Sequence, residues 1–178
     1  MTTPTPAARL AHRQTLASYC RRLSLSQQAV TLCETEATPK QEAFLVRVFA
    51  AALDHRETVR RMRLLQRAGF PVPKSLDDDD RHRVTLPSTL TWPDLETGAF
   101  IDAHRHRVLY GAVGTGKSHR ATALGIRACE QGRAVRFFTV TDLVVRLSEA
   151  RRAGTAERLL QDLHRTELLV LDEWGCAP

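Results

Sequence analysis

Long apolar runs are absent from this 178-residue chain, and no stretch approaches the roughly 20 consecutive apolar residues that a membrane-spanning helix needs. The amino terminus is rich in Thr and Pro and lacks the apolar core of a signal peptide, so a cytoplasmic protein without a membrane partner is expected. Cysteine is sparse and unpaired in pattern: Cys20, Cys33, Cys129 and Cys176 form no C-x-x-C spacing, which indicates neither a disulfide framework nor a zinc site. Aromatic residues make up only 6%, too few to suggest a base-stacking surface, and no internal repeat is detectable. What the chain has in excess is positive charge. Twenty-six Lys and Arg against twenty Asp and Glu give a net charge of +6, which favours polyanionic partners. The 43% of hydrophobic residues suffices for one ordinary domain and a smaller one.

Against that background one octapeptide stands out. GAVGTGKS, Gly111 to Ser118, satisfies the phosphate-loop pattern G-x-x-x-x-G-K-[ST] without mismatch. Glycines at 111, 114 and 116 remove Cβ atoms from a tight turn, so that backbone N–H groups can surround phosphate oxygens. Lys117 adds a full charge for the β- and γ-phosphates, and the Ser118 hydroxyl suits Mg²⁺. The helix opening there presents unpaired N–H groups and a positive dipole end to the same anion. The expected cofactors are ATP and Mg²⁺. The nucleotide-contacting segment comprises Gly111, Ala112, Val113, Gly114, Thr115, Gly116, Lys117, Ser118 and His119. A glycine-rich hairpin is the bland alternative, but a hairpin does not require Lys-Ser after its last glycine.

The flanks fit the motif. Arg107 to Tyr110 is a short β-prone run expected as the strand feeding the loop, and 118–131 carries Ala121, Leu124, Gly125 and Ala128 at helical spacing before Gly132. Ala134 to Val140 reads as a second strand. A helix follows over 141–153 with Leu143, Val144 and Leu147 on one face, then another from Thr155 to about His164. The apolar run Leu168 to Leu171 ends in Asp172-Glu173, the Walker B pattern of a strand buried on both faces that delivers acids to its carboxyl end. On its own such a string is usually a buried strand meeting a solvated turn. In β-α-β-α order after a phosphate loop, Asp172 is expected at the Mg²⁺ and Glu173 as the catalytic group that orients and polarises the attacking water.

The amino-terminal part reads as helical. One helix is expected from about Ala7 to Leu25 with Leu10, Leu16, Tyr19 and Leu23 as its apolar stripe. A second begins at Thr38, where Pro39 fits the first helical position and Gln41 completes a capping box. Its predicted buried face is Phe44, Val48, Ala52, Val59 and Met62, with Gly69 and Pro71 ending it. The composition of PVPKSLDDDD marks a linker. The domain division is therefore 1–76 helical, 77–98 linker and 99–178 nucleotide domain. Arg56, Arg60, Arg63 and Arg67 recur at steps of four, three and four, so they share a helix face and are the candidate nucleic-acid contacts; a solvated face is the competing reading. His104 and His106 alternate with Arg105 and Arg107, whose charges disfavour a metal ion there.

Three stretches, Gln66 to Leu76, Val84 to His119 and Leu168 to Gly175, make the chain resemble the IstB-like ATPases from about residue 25 onward. These are AAA+ helper proteins of insertion-sequence transposases, related to DnaC-type helicase loaders. The resemblance implies an α/β fold with the parallel sheet of an AAA+ P-loop NTPase, behind a small helical amino-terminal domain. It implies ATP-dependent self-assembly on DNA, with DNA and a transposase as partners. It also implies a sheet order 5-1-4-3-2, a polar sensor residue and an arginine that completes a neighbour's site, none of which can be assigned before Pro178. The expectation is thus a fold incomplete at its carboxyl end, through a truncated or decayed gene copy or an incomplete sequence. Arg120 at a usually apolar helix position, the Asp77–Asp80 run, Trp174 and Cys176 are further departures from the family pattern. Three functions stay open: a transposition helper, a remnant that binds nucleotide or a partner without turnover, and a helicase loader.

Overall fold

Capping chemistry, buried charge and one parallel strand pair account for most of the architecture in the computed structural model, which describes residues 6–77 and 81–174. The chain divides into two units, Met1–Val59 and Arg60–Pro178. The first contains α1 (Pro6–Arg22), α2 (Gln27–Thr35) and the larger part of α3 (Pro39–Ala68). The expected box at the start of α3 forms: Thr38 N–H and Oγ1 both donate to Gln41 Oε1 at 2.8 Å, and Gln41 N–H reaches Thr38 Oγ1 at 3.4 Å. Gly69, with φ of +79°, closes the helix as its position before Pro71 predicts.

The helix faces differ from the sequence reading. Leu16, Cys20 and Leu23 of the first unit are buried, whereas Leu10 is exposed. On α3, Phe44, Val48 and Met62 are exposed, and the least exposed position near its start is Glu42, at 0%. A carboxylate can occupy such a place because two guanidinium groups from α1 meet it. Arg13 Nε donates to Glu42 Oε1 at 2.8 Å, and Arg9 Nε lies 3.5 Å from Oε2. This ion cluster rotates the inward face of α3 away from the one its apolar spacing suggested, because an unpaired buried charge would cost more than an exposed phenylalanine.

The second unit is built around β1 (Val135–Thr139) and β2 (Leu168–Asp172), which pair in parallel with Val135 opposite Leu168 and Thr139 opposite Asp172. Between them run α7 (Val140–Arg152) and α8 (Ala156–His164), and α6 (Lys117–Glu130) precedes β1. This is the α/β arrangement of a phosphate-loop domain. Gly125 of α6 is required by packing, since a Cβ there would lie 2.7 Å from Phe70 Cζ. Cys129 is buried among Phe100, Ala128 and Val135, and burial above all pushes its thiol up to about 11, so it serves as a neutral packing group.

Two expectations change. The segment 77–98 is more than a spacer: Leu86, Leu90, Trp92 and Leu95 pack into the same core, and a Thr91–Asp94 capping box starts α4 (Trp92–Glu96), followed by α5 (Ala99–Asp102). Asp78 to Asp80 lie outside the described residues, as does Cys176. Arg107 to Tyr110 forms no ladder with any described residue. The sheet holds β1 and β2 alone, paired to each other, and Val108 and Tyr110 are 82% and 92% exposed. Without a neighbouring strand, β propensity alone does not make one. No described helix is long and apolar enough to cross a membrane.

The Glu42 cluster sets an acid limit on the first unit. Burial alone raises this carboxyl's pKa, but Arg13 and Arg9 outweigh it and hold the group below its ordinary 4.5. A depressed folded value means stability that is present above about pH 4.5 and lost as pH falls through the lower one. Glu42→Gln should cost about 1–3 kcal/mol at pH 7 and flatten the decline of stability below pH 5, as measured by urea unfolding across pH.

Candidate phosphate-binding site

The turn from Gly111 to Gly116 needs glycine for a reason visible in its dihedrals. Gly111, Gly114 and Gly116 have φ of +146°, +80° and +83°, a region that side chains with a Cβ enter only at a cost. The turn delivers the chain into α6, whose first residues are Lys117 and Ser118. Lys117 Nζ donates back to Gly111 O at 2.9 Å and Ala112 O at 2.8 Å, and Thr115 Oγ1 donates to Ala112 O at 2.8 Å. Carbonyl oxygens of the turn are thereby tied to its own donors. Its surface is open, with Ala112, Gly114 and Thr115 exposed and Val113 fully so.

The parallel pairing brings a distant residue to this turn. β2 ends at Asp172, and Ser118 Oγ donates to Asp172 Oδ1 at 2.9 Å across 54 positions of sequence. A hydroxyl and a carboxylate at this spacing are both hard oxygen donors, the set that Mg²⁺ prefers, beside a helix amino terminus that suits an anion. Glu173 follows with φ of +58°, an uncommon value for a residue with a Cβ, and its side chain is exposed. His119 Nε2 lies 2.9 Å from Ser75 O and fastens the loop after α3 to the start of α6.

Other candidate residues are arranged differently. Arg56 Nη1 donates to Leu23 O at 3.4 Å within the first unit, and Arg60 Nη2 to Gly132 O at 3.0 Å within the second. Arg63 and Arg67 are exposed. Arg56 and Arg60 are exposed as well, so all four arginines of the stripe reach solvent, and two of them also donate to backbone carbonyls. His104 and His106 are exposed, and no group of three or more His, Cys, Asp or Glu among the described residues is placed to hold a metal ion.

Arg120 is the residue whose part the sequence did not reveal. It is only 8% exposed, and its Nη1 donates to Thr115 O at 2.6 Å, directly beneath the turn. The available signal was a charged side chain one helical turn after Gly116, on a flank that otherwise carries small residues.

Comparison with known proteins gives the family of the chain. The profile of the family described as "IstB-like ATP binding protein" matches residues 12–178. An insertion-sequence ATP-binding protein of Sinorhizobium fredii is 42% identical over 81 residues, 46% of this chain and 33% of that protein. The insertion sequence IS5376 ATP-binding protein of Geobacillus stearothermophilus is 27% identical over 168 residues, 92% of this chain and 67% of that protein. The replicative helicase loader DnaC of Escherichia coli is 39% identical over 70 residues, 38% of this chain and 29% of that protein. The chain spans about a third of the length of the first two insertion-sequence relatives it matches.

The two left-handed glycines differ in surroundings. Around Gly114 nothing lies within 4 Å of an added Cβ, whereas at Gly116 it would meet Arg120 Nη1 at 3.3 Å. Gly114→Ala should cost about 1 kcal/mol from backbone strain alone. Gly116→Ala should cost measurably more, because the guanidinium must also shift. Denaturant midpoints of the two variants check the order, and equal costs would contradict it.

Proposed function

The chain belongs to the IstB-like ATP binding protein family, and on that premise we propose that it binds MgATP at residues 111–119 as the helper ATPase of an insertion-sequence transposase. The observation that carries this reading is the Ser118–Asp172 hydrogen bond, which joins the end of the phosphate loop to the acidic end of β2. In this reading, N–H groups of the turn and of the first turn of α6 bind the phosphates, and Lys117 exchanges its carbonyl partners for phosphate oxygens. Ser118 and Asp172 would hold Mg²⁺, which supplies charge neutralisation on the β- and γ-phosphates when bound. A carboxylate oxygen of Glu173 orients a water molecule and takes its proton.

DNA and a transposase are the partners this role requires, with self-assembly. For DNA, all four exposed arginines of the stripe are candidates, and Arg56 and Arg60 would first give up the backbone carbonyls they hold. One observation favours a second reading, a module that binds nucleotide without turning it over: Arg107 to Tyr110 leads into the loop with no ladder partner among the described residues. Such a lead-in leaves the loop less firmly seated than a paired strand does. The similarity to a helicase loader leaves loading as a further role for the same nucleotide chemistry, and a transposase gene beside this one distinguishes the two.

Lys117→Ala should lower MgATP affinity by one to two decades, the worth of a charge-assisted contact of about 1.5–3 kcal/mol. Glu173→Gln should leave affinity unchanged and reduce any hydrolysis by about a hundredfold or more. Calorimetry and phosphate release read these separately. Parental affinity in the Lys117 variant removes the phosphate-loop assignment, and parental turnover in the Glu173 variant removes the base. For the stripe, Arg63→Gln with Arg67→Gln should reduce the slope of log K for DNA against log salt by up to about 2. Superimposable slopes return Arg63 and Arg67 to a solvated role.

A further inference from the structure

Arg120 is a permanent positive charge in a buried place, and its position follows from helix geometry. Side chains on a helix lean toward its amino terminus, so residue 120 covers the turn at residue 116. Its own N–H donates to Gly116 O at 3.0 Å, and its guanidinium lies under the Gly116 Cα, where an added Cβ would be 3.3 Å from Nη1 and 3.6 Å from Cζ. From there Nη1 holds Thr115 O at 2.6 Å. Burial of a guanidinium costs free energy unless it is hydrogen-bonded, so the side chain has a strong preference for this contact over its loss.

That contact has a consequence for the N–H on the other side of the same peptide. No peptide bond in the described chain is cis, and in a trans peptide the C=O and the following N–H point in opposite directions. Fixing Thr115 O against Arg120 therefore aims Gly116 N–H away from that flank of α6. The peptide would otherwise be prone to rotate as a unit, because Gly116 on one side of it is free of Cβ restraint. Lys117 cannot perform this task, since its ammonium is engaged with Gly111 O and Ala112 O and is the group that leaves them for an anion.

We infer that Arg120 is a positioning residue of the nucleotide site, locking the Thr115–Gly116 peptide so that Gly116 N–H is presented to phosphate oxygen. The inference deepens the MgATP reading and rests on it for the identity of the anion, while the lock itself is a property of the protein without ligand. Lys117 and Arg120 then divide the work: one cation moves to the ligand, the other stays under the loop and keeps its shape.

The test uses the full 178-residue chain with Arg120→Met, which keeps an apolar stem, and Arg120→Lys, which restores a charged donor. The probes are the Gly116 amide signal in a ¹⁵N–¹H spectrum of the ligand-free protein and calorimetric titration with MgATP. The expected result is one sharp Gly116 signal in the parent and the Lys variant, and a split or exchange-broadened one in the Met variant. MgATP affinity should fall about tenfold in the Met variant and recover most of the way with Lys. A Gly116 signal unchanged by Met overturns the inference. A Lys variant with a disordered Gly116 signal also overturns it, even if the Met variant does not fold, because that outcome assigns Arg120 to packing alone. Parental protein that shows the expected amide pattern but no MgATP binding leaves the lock standing and removes the nucleotide reading instead.

Discussion

Peptide orientation in the turn from Gly111 to Ser118 is the constraint on which the site depends. For backbone N–H groups to converge on an anion, the carbonyls of the same peptides must face elsewhere, and a donor that holds a carbonyl fixes the orientation of its peptide. The protein meets this demand locally. Glycine supplies the left-handed dihedrals, Lys117 and Thr115 satisfy the carbonyls of Gly111 and Ala112, and Arg120 satisfies that of Thr115. The loop is thus held by side chains that belong to it or to the first turn of α6.

The rest of the second unit serves to place Asp172. β1 and β2 run parallel, so their carboxyl ends lie at one edge, and α6 packs with Gly125 against Phe70 and Val170 closely enough to seat its amino terminus there. A larger residue at 125 would force the Phe70 ring or the helix to shift. The first unit has its own stabilising device, the Glu42 ion cluster, and α3 contributes residues to both units.

The legibility of these features in the sequence divides along physical lines. Signals that act within a few residues are readable: the capping box at Thr38, the helix stop at Gly69, the glycine turn with Lys117 and Ser118, and the strand that ends in Asp172, although Leu169 is 41% exposed, so that strand is not buried on both faces as its aliphatic run suggests. Features that depend on a distant partner are not. The inward face of α3 is set by Arg9 and Arg13, some thirty residues earlier in the chain, so apolar spacing pointed to Phe44 and Val48 instead. Arg107 to Tyr110 has strand composition but no strand beside it. The stretch after the acidic run looked like a spacer because charge dominates its start, although Leu86, Leu90, Trp92 and Leu95 fill the core. Arg120 appeared only as a departure from a family pattern, since nothing local shows that a helical arginine will turn under the loop before it.

Amide hydrogen exchange with and without MgADP tests the central claim most directly, because it reports on backbone N–H groups themselves. Binding on the turn predicts that the largest slowing falls within residues 111–119, with slowing in α6 beyond it smaller and no comparable change in the first unit. Equal exchange at 111–119 in both conditions, or protection centred elsewhere while the nucleotide is bound, would contradict the account of this turn as the phosphate site.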